Sequence, residues 1–175
     1  LPPSDLPGGE DRSKCHVTGQ ALFFLMQPLA ALDKAVQSIS EALPQPYAAV
    51  FVRHGDKTNT PMGRIGLAEY VAALRRNFPQ LLHVWLMSDD PRVIEESASP
   101  QYANLTFHYT HTNRSHVGEH QLDAARIDEV TRNSLINLYI AADASALVAA
   151  LSSTFTRLIL TLSLGKYGRP LPTVS

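Results

Sequence analysis

The stretch Tyr47-Ala48-Ala49-Val50-Phe51-Val52-Arg53-His54-Gly55-Asp56-Lys57 decides the fold of this chain. It begins with an apolar run of β-branched and aromatic residues, which is typical of a buried strand. In open α/β sheets, ligands bind just outside the carboxyl ends of the strands. The polar residues after the run include three cationic or potentially cationic side chains beside one carboxylate. This combination predicts a site that binds phosphate and accepts or releases a proton. A solvated loop would explain any one of them, but the cluster indicates a site formed by Arg53, His54, Asp56 and Lys57.

Helical and strand patterns alternate on both sides of this stretch. Apolar residues recur at helical spacing over 19–42, 66–77, 92–97, 123–142 and 154–164, and strand-like runs lie at 82–87, 104–109 and 146–151. Pro28 should break the first helical segment, and residues 111–121 lack a pattern and indicate a loop. The alternation predicts an α/β fold, a Rossmann-like parallel sheet of at least four strands with helices on both faces.

The chain divides into three predicted parts. Residues 1–18 should be an irregular arm, because proline, glycine and charged residues prevail at its start. Residues 19–165 form the ligand-binding domain, whose last helix should end at Gly165, and residues 166–175 form a tail. The first residue is Leu1 rather than methionine, which suggests a processed chain or a piece of a larger protein.

Composition limits the classes of partner. The chain has 175 residues, of which 45% are hydrophobic and 18% charged, as expected for one folded domain with a real core. Its net charge of -1 argues against a nucleic-acid or anionic-membrane surface, and no apolar stretch reaches the length of a membrane span. Cys15 is the single cysteine, which excludes an internal disulfide framework. Glycosylation sequons at Asn104 and Asn113 permit a location in the secretory pathway.

Polar residues also follow two other predicted strands. Ser88-Asp89-Asp90-Pro91 combines acceptor side chains with a proline at the first helical turn, as a helix start does. Ser152 and Ser153 precede the last helix, whose N-terminal N–H groups and dipole favour an anion. Helix capping alone would explain these residues; beside Arg53 they resemble further walls of a phosphate site.

These blocks resemble the nucleotide-sugar half of the α1,6-fucosyltransferases, glycosyltransferase family 23. The family motif His-Val-Arg-Arg-Thr-Asp-Lys is matched by 51–57, and Tyr70 follows at the family's distance. Ser88-Asp89-Asp90-Pro91 matches Thr-Asp-Asp-Pro, 132–135 matches Glu-Asn-Ser-Leu, and 149–154 matches Cys-Thr-Phe-Ser-Ser-Gln. The blocks run in order with compatible spacing from about residue 19 to 164.

The resemblance implies that residues 19–165 are the C-terminal, donor-binding half of a two-domain GT-B enzyme. Such an enzyme would be a metal-independent, inverting transferase without a cofactor, with GDP-fucose as donor and a glycan or glycoprotein as acceptor. A missing N-terminal domain or a partner subunit would complete it, in the Golgi lumen.

The resemblance also implies roles for single residues. Arg53 would hold the β-phosphate and neutralise the GDP leaving group, while Asp56 and Lys57 would order the loop and assist proton removal. These three are the implied catalytic residues. The implied donor-binding residues are Arg53, His54, Tyr70, Asp89, Asp90, Asn137, Ser152 and Ser153.

Four of the chain's departures from the family pattern bear on its chemistry. Phe51 replaces the first motif histidine, Pro61 a glutamate proposed as part of the base, and Thr154 a glutamine. Asn137 replaces an aspartate that reads the nucleotide, and it brings no charge to the guanine N–H groups. A non-catalytic binding or structural module derived from the same fold is therefore the alternative.

A different enzyme class shares part of the pattern. Arg53-His54-Gly55 after an apolar strand also resembles the motif of histidine phosphatases, in which His54 would be the nucleophile. Against this, a helix precedes the motif, and the candidates for a second catalytic histidine lie together in one polar loop. These candidates are His111, His116 and His120, whose spacing matches no standard metal site.

Overall fold

A computed structural model describes residues 9–54, 65–111 and 124–175 of the chain, without the side chains of 9–15 and 124. Within these residues, five parallel strands form one sheet in the order β3-β2-β1-β4-β5. The strands are β1 Tyr47–Val52, β2 His83–Ser88, β3 Thr106–His108, β4 Ala146–Ala149 and β5 Thr173–Val174. The helices are α1 Gly9–Leu25, α2 Ala30–Ala42, α3 Leu67–Asn77, α4 Pro91–Ser97, α5 Ala124–Ala142 and α6 Thr154–Tyr167.

Strand β1 is the centre of the sheet and is buried along its whole length. It pairs with β2 on one side and β4 on the other, so that Phe51 lies between Met87 and Ala149. Alternate β1 residues belong to two separate apolar clusters, one on each face of the sheet. Burial on both faces explains why the strand is an apolar run rather than an alternating pattern.

Helices cover both faces. Helices α2, α5 and α6 contribute to the cluster that contains Phe51 and Trp85, while α3 and α4 contribute to the cluster that contains Val50 and Leu86. Helix α1 packs on α6, and its Phe23 packs against the cluster that contains Phe51. The α/β fold with a parallel sheet and helices on both faces is thus confirmed. No helix in the described part of the chain combines the length and apolar character that a membrane crossing requires.

Most predicted elements agree with the structure to within two residues at each end. Pro28 lies in the break between α1 and α2, as expected. The arm predicted for residues 1–18 is wrong from Gly9 onward, because α1 begins there, where the proline- and glycine-rich stretch ends. Residues 1–8, and the loop predicted at 111–121 except His111, lie outside the described residues.

The predicted tail is also corrected. Helix α6 continues through Gly165 to Tyr167 and ends at Gly168, whose left-handed backbone conformation (φ 67°) suits a helix C-cap. The last residues then form β5, which pairs with β4 at Leu147 and Val148. A strand of two residues next to prolines gives little sequence signal, which explains why it was missed.

Gly165 has a packing role instead of a capping role. A Cβ atom added there would collide with the backbone carbonyl of Gly19 on α1, and a Cβ on Gly19 would lie 3.0 Å from the Gly165 nitrogen and from the Thr161 carbonyl oxygen. The two helices therefore cross with their backbones in direct contact. Because both colliding groups are backbone atoms, no side chain rotation can relieve the clash.

We expect Gly165→Ala to lower the free energy of unfolding by about 1–3 kcal/mol, because the extra methyl must push α1 off α6. Urea unfolding followed by circular dichroism measures this change. Gly66→Ala is the comparison variant, since among the described residues its Cβ would meet the flexible Glu69 side chain, at 3.2 Å, and no backbone atom. Equal stability of the two variants would contradict the close helix crossing.

His83 and His108 form a pair on the neighbouring strands β2 and β3. Nδ1 of His83 lies 3.4 Å from Nε2 of His108, and both rings are partly buried. Partial burial, together with the nearby His83 ring, lowers the pKa of His108. The folded state therefore favours the neutral ring, and between this lowered pKa and the ordinary histidine value the unfolded chain binds more protons.

We expect the free energy of unfolding to fall as the pH drops below about 6.5, the ordinary histidine pKa. Above that pH the contribution of His108 should be fully present. In His108→Gln this part of the pH dependence should be weaker, because the neutral amide does not titrate. Urea titrations of both proteins between pH 5 and 8 compare the slopes. Parallel curves would show that His108 does not contribute.

Candidate functional site

A cleft of about 160 Å³ lies where the strands end. The ends of β1 and β2 supply one side of the cleft, and helices α5 and α6 supply the other. Its polar lining residues are Arg53, Ser88, Asp89, Thr110, Asn133, Ser134 and Asn137, and its apolar lining residues are Phe51, Met87, Val130 and Phe155. The cleft thus occupies the position predicted from the sequence, at the carboxyl edge of the sheet.

Arg53 is the first residue after β1 and is exposed. Among the described residues that line the cleft it is the one cation. The buried strand before it fixes where its backbone begins, and the guanidinium can offer parallel N–H donors to an oxyanion. The cleft can therefore bind an anionic group at the β1 end.

Asp90 is the N-cap of α4, with Pro91 as the first helical residue. Its carboxylate accepts hydrogen bonds from the backbone N–H of Arg92 at 3.0 Å and from the Arg92 side chain at 2.9 and 2.7 Å. The side chain is only 7% exposed. The hydrogen bonds from Arg92, joined by one from His54, hold the pKa of Asp90 well below its usual range. In the structure Asp90 thus serves as a helix cap, and it is not among the cleft-lining residues.

His54 lies between three elements. Its backbone N–H donates to Oδ1 of Asp89 at 2.9 Å. Its ring contacts Oδ2 of Asp90 through Nδ1 at 3.0 Å and the carbonyl of Ile65 through Nε2 at 2.9 Å. With both ring nitrogens at oxygen acceptors, and the residue absent from the cleft lining, His54 is not presented as a nucleophile in this structure.

The start of α6 reaches the cleft through Phe155, whose ring centroid lies 5.1 Å from that of Phe51. Ser153 is buried and is the N-cap, but its side chain makes no capping hydrogen bond. Ser152 is exposed in the preceding turn. Neither serine is among the cleft-lining residues. The helix end that they begin is nevertheless next to the cleft.

Asn137 lines the cleft, whereas Tyr70 does not. The indole Nε1 of Trp85 donates to Oδ1 of Asn137 at 3.0 Å, which orients the amide so that its Nδ2 points to Oγ1 of Thr110 at 3.5 Å. Tyr70 is 8% exposed and belongs to the apolar cluster on the opposite face of the sheet, where burial raises its pKa. The structure therefore separates Tyr70 from the cleft.

Several residues that line the cleft were not predicted from the sequence, and some predicted residues lie outside the described part of the chain. Asn133 belongs to the motif matched at 132–135 but was not among the candidate site residues; it is four residues from Asn137 on α5 and so shares a helix face with it, a signal that could have added it. Thr110 and Phe155 carried no such signal. Asp56, Lys57, Pro61, His116 and His120 lie outside the described residues. Within the described ranges, no three His, Cys, Asp or Glu side chains are grouped so that they could hold a metal ion.

We expect Asp90→Asn to lower the free energy of unfolding at pH 7 by about 1–3 kcal/mol, because the charged cap and ion pair are lost. The low folded pKa means that this stabilisation is present above the ordinary value of 3.8 and disappears as the pH falls below it. Urea unfolding at pH 7 and pH 3 should show a smaller difference in the free energy of unfolding between wild type and Asp90→Asn at pH 3. Asp128→Asn, at an exposed position of α5, is the control.

Comparison with known proteins identifies this fold. No family model and no curated protein matches the sequence. A structure of POFUT1 with GDP-fucose matches with a TM-score of 0.58 at 13% identity, over 95% of this chain and 49% of that chain. NodZ α-1,6-fucosyltransferase soaked with GDP-fucose matches with a TM-score of 0.52 at 18% identity, over 78% and 43%.

The chain spans about half the length of the solved structures that it matches. A complex of POFUT1 with GDP gives the same picture, with a TM-score of 0.54 at 15% identity over 83% of this chain. At such identities the likeness concerns the fold alone. The chain therefore has a fucosyltransferase-like α/β fold, as the strand-end motifs predicted.

Proposed function

We propose that this chain is the donor-binding domain of a fucosyltransferase-like glycosyltransferase and that its cleft binds the diphosphate of a GDP-sugar, with GDP-fucose as the donor. The observation that carries the proposal is the position of Arg53, a cation on the cleft at the carboxyl end of the central strand. The solved structures with this fold include complexes of POFUT1 and NodZ with GDP-fucose.

The described residues supply a binding scheme. Arg53 pairs with the β-phosphate, and the hydroxyl of Ser88 and the start of α6 provide further donors nearby. The same guanidinium neutralises the charge that grows on the GDP leaving group during inverting transfer, which is electrostatic stabilisation of the transition state. The neutral side chains of Thr110, Asn133 and Asn137 also line the cleft, and in this scheme they contact the base.

The cleft is smaller than typical sites for small molecules, which enclose roughly 300 Å³ or more. A second domain or a partner subunit would complete the site and bring the glycan or glycoprotein acceptor. Asp56 and Lys57 would assist the acceptor's proton transfer. We place the protein in the Golgi lumen, a proposal that rests on the sequons and on the exposed position of Asn104.

A non-catalytic module with the same fold is the second candidate, and one observation favours it. Phe51 occupies the position of the family's first motif histidine, and its ring packs against Phe155 instead of offering a proton-exchanging group. Such a module would keep the nucleotide site without turnover. Histidine phosphatase chemistry has less support, because both ring nitrogens of His54 contact oxygen acceptors.

Calorimetric titration with GDP and GDP-fucose, without added metal, tests the donor site. We expect wild type to bind both and Arg53→Ala to bind at least about tenfold more weakly, since a charge-assisted contact to phosphate is lost. Arg76→Ala is the matched control, because Arg76 is exposed on α3, on the other face of the sheet.

The outcomes separate the candidates. Binding that is lost in Arg53→Ala and kept in Arg76→Ala supports the donor site, and release of fucose or its transfer to an acceptor then distinguishes the enzyme from the module. Equal binding by both variants would place the nucleotide elsewhere. No binding by folded wild type would exclude a donor site formed by this chain alone.

A further inference from the structure

We propose that His54 is a positioning residue for Arg53, and that its imidazole ring, held between Asp90 and the carbonyl of Ile65, makes donor binding dependent on pH. This inference rests on the proposed function, because it concerns how the phosphate-binding arginine is held. It assigns to His54 a role apart from direct donor contact and from nucleophilic chemistry.

The contacts of His54 join three elements. His54 directly follows Arg53 at the end of β1, Asp90 caps α4, and Ile65 precedes α3. The ring is 10% exposed on its side chain and lies 3.0 Å from Asp90 and 2.9 Å from the Ile65 carbonyl. The backbone N–H adds a third contact, to Asp89 at 2.9 Å. The residue after Arg53 is therefore fixed through both its backbone and its side chain.

This fixation bears on Arg53. The peptide between Arg53 and His54 cannot rotate freely while the His54 N–H stays on Asp89 and the ring stays in its two contacts. The starting point of the arginine side chain is thereby defined, which reduces the ordering cost when phosphate binds. The His54 N–H also donates to one carboxylate oxygen of Asp89, which lines the cleft. This hydrogen bond partly offsets the negative charge with which Asp89 would repel phosphate.

The protonation state of the ring decides how many of these contacts persist. The carboxylate of Asp90 and the carbonyl of Ile65 are both acceptors, so the ring satisfies both only as the doubly protonated imidazolium. A neutral ring donates through one nitrogen and faces an acceptor with the other. Loss of the proton thus breaks one of the two ring hydrogen bonds that hold His54 and, through it, Arg53. It also removes a positive charge near the cleft.

Other charges act on the same ring. Asp90 is itself paired with Arg92, whose guanidinium is 63% exposed, and Asp89 contacts the backbone of His54. On the adjoining helices α3 and α4, the other charged residues are Glu69, Arg75, Arg76, Glu95 and Glu96, and Arg53 directly precedes the histidine. Carboxylates and guanidinium groups keep their charge between pH 6 and 8, so these neighbours add no pH dependence of their own in that range.

The test measures the affinity for GDP-fucose of wild type, His54→Ala, Arg53→Lys and the double variant. Arg53→Lys keeps the positive charge, so that binding remains measurable. We expect His54→Ala to weaken binding roughly tenfold, as for one lost hydrogen bond to a charged group. The double variant should lose little more affinity for GDP-fucose than the single variant that binds it more weakly, because His54 acts through Arg53. His16→Ala on α1 is the control.

A pH profile supplies an independent readout. GDP-fucose suits it because the sugar blocks the terminal phosphate, whose ionisation at a pKa of about 6 would confuse a titration with GDP. Wild-type affinity should weaken as the pH rises from 5.5 to 8.5, whereas His54→Gln should give a flatter profile. Thermal melts confirm folding, and if neither variant folds, the wild-type profile decides alone.

The outcomes distinguish this inference from the proposed function. Failure of wild type to bind GDP-fucose overturns both. If wild type binds and Arg53→Ala does not, His54→Ala affinity within twofold of wild type overturns the positioning role alone. Strictly additive losses in the double variant would also overturn it, since they mean that His54 acts independently of Arg53. A wild-type affinity that does not change with pH contradicts the role of the proton.

Discussion

The burial of β1 on both faces is the constraint on which the rest of the structure depends. A strand with apolar clusters above and below cannot place a charge along its length without a large desolvation cost. Polar chemistry is therefore confined to its end, where Arg53 and His54 follow Val52. The neighbouring strands obey the same rule, so their polar ends meet at one edge. The cleft follows from this confinement rather than from any single residue.

Local patterns predicted the sheet and helices well, because a short continuous apolar run indicates a buried strand and apolar residues at helical spacing indicate a helix. Glycine was harder to interpret. Gly165 was expected to end α6, but it lies in the last turn, where it lets α1 approach closely, and Gly168 provides the end. Both uses depend on the missing Cβ, one through backbone conformation and the other through space. What distinguishes Gly165 from Gly168 is its close contact with Gly19, a residue too remote in sequence for a local pattern to reveal it.

The site was predictable in position more than in detail. Arg53 and Asp89 were identified because they follow strands, and both line the cleft. The signal at Asp90 was ambiguous, because the same carboxylate can cap a helix or contact a ligand; here its hydrogen bonds are made with Arg92 and His54. Tyr70 was taken from a resemblance in spacing, which does not reveal the face of the sheet. Thr110 joins the cleft through tertiary structure alone.

The two outer strands of the sheet have a consequence for how these molecules meet one another. Strand β3 has three residues and β5 has two. Two prolines, Pro170 and Pro172, lie just before β5. Proline has no N–H to donate, and a short edge offers few unpaired groups to a passing chain. A long, flat edge would serve as a template for intermolecular strand addition and aggregation. Within the described residues the sheet instead ends in two short strands, which leave few unpaired backbone groups for such pairing.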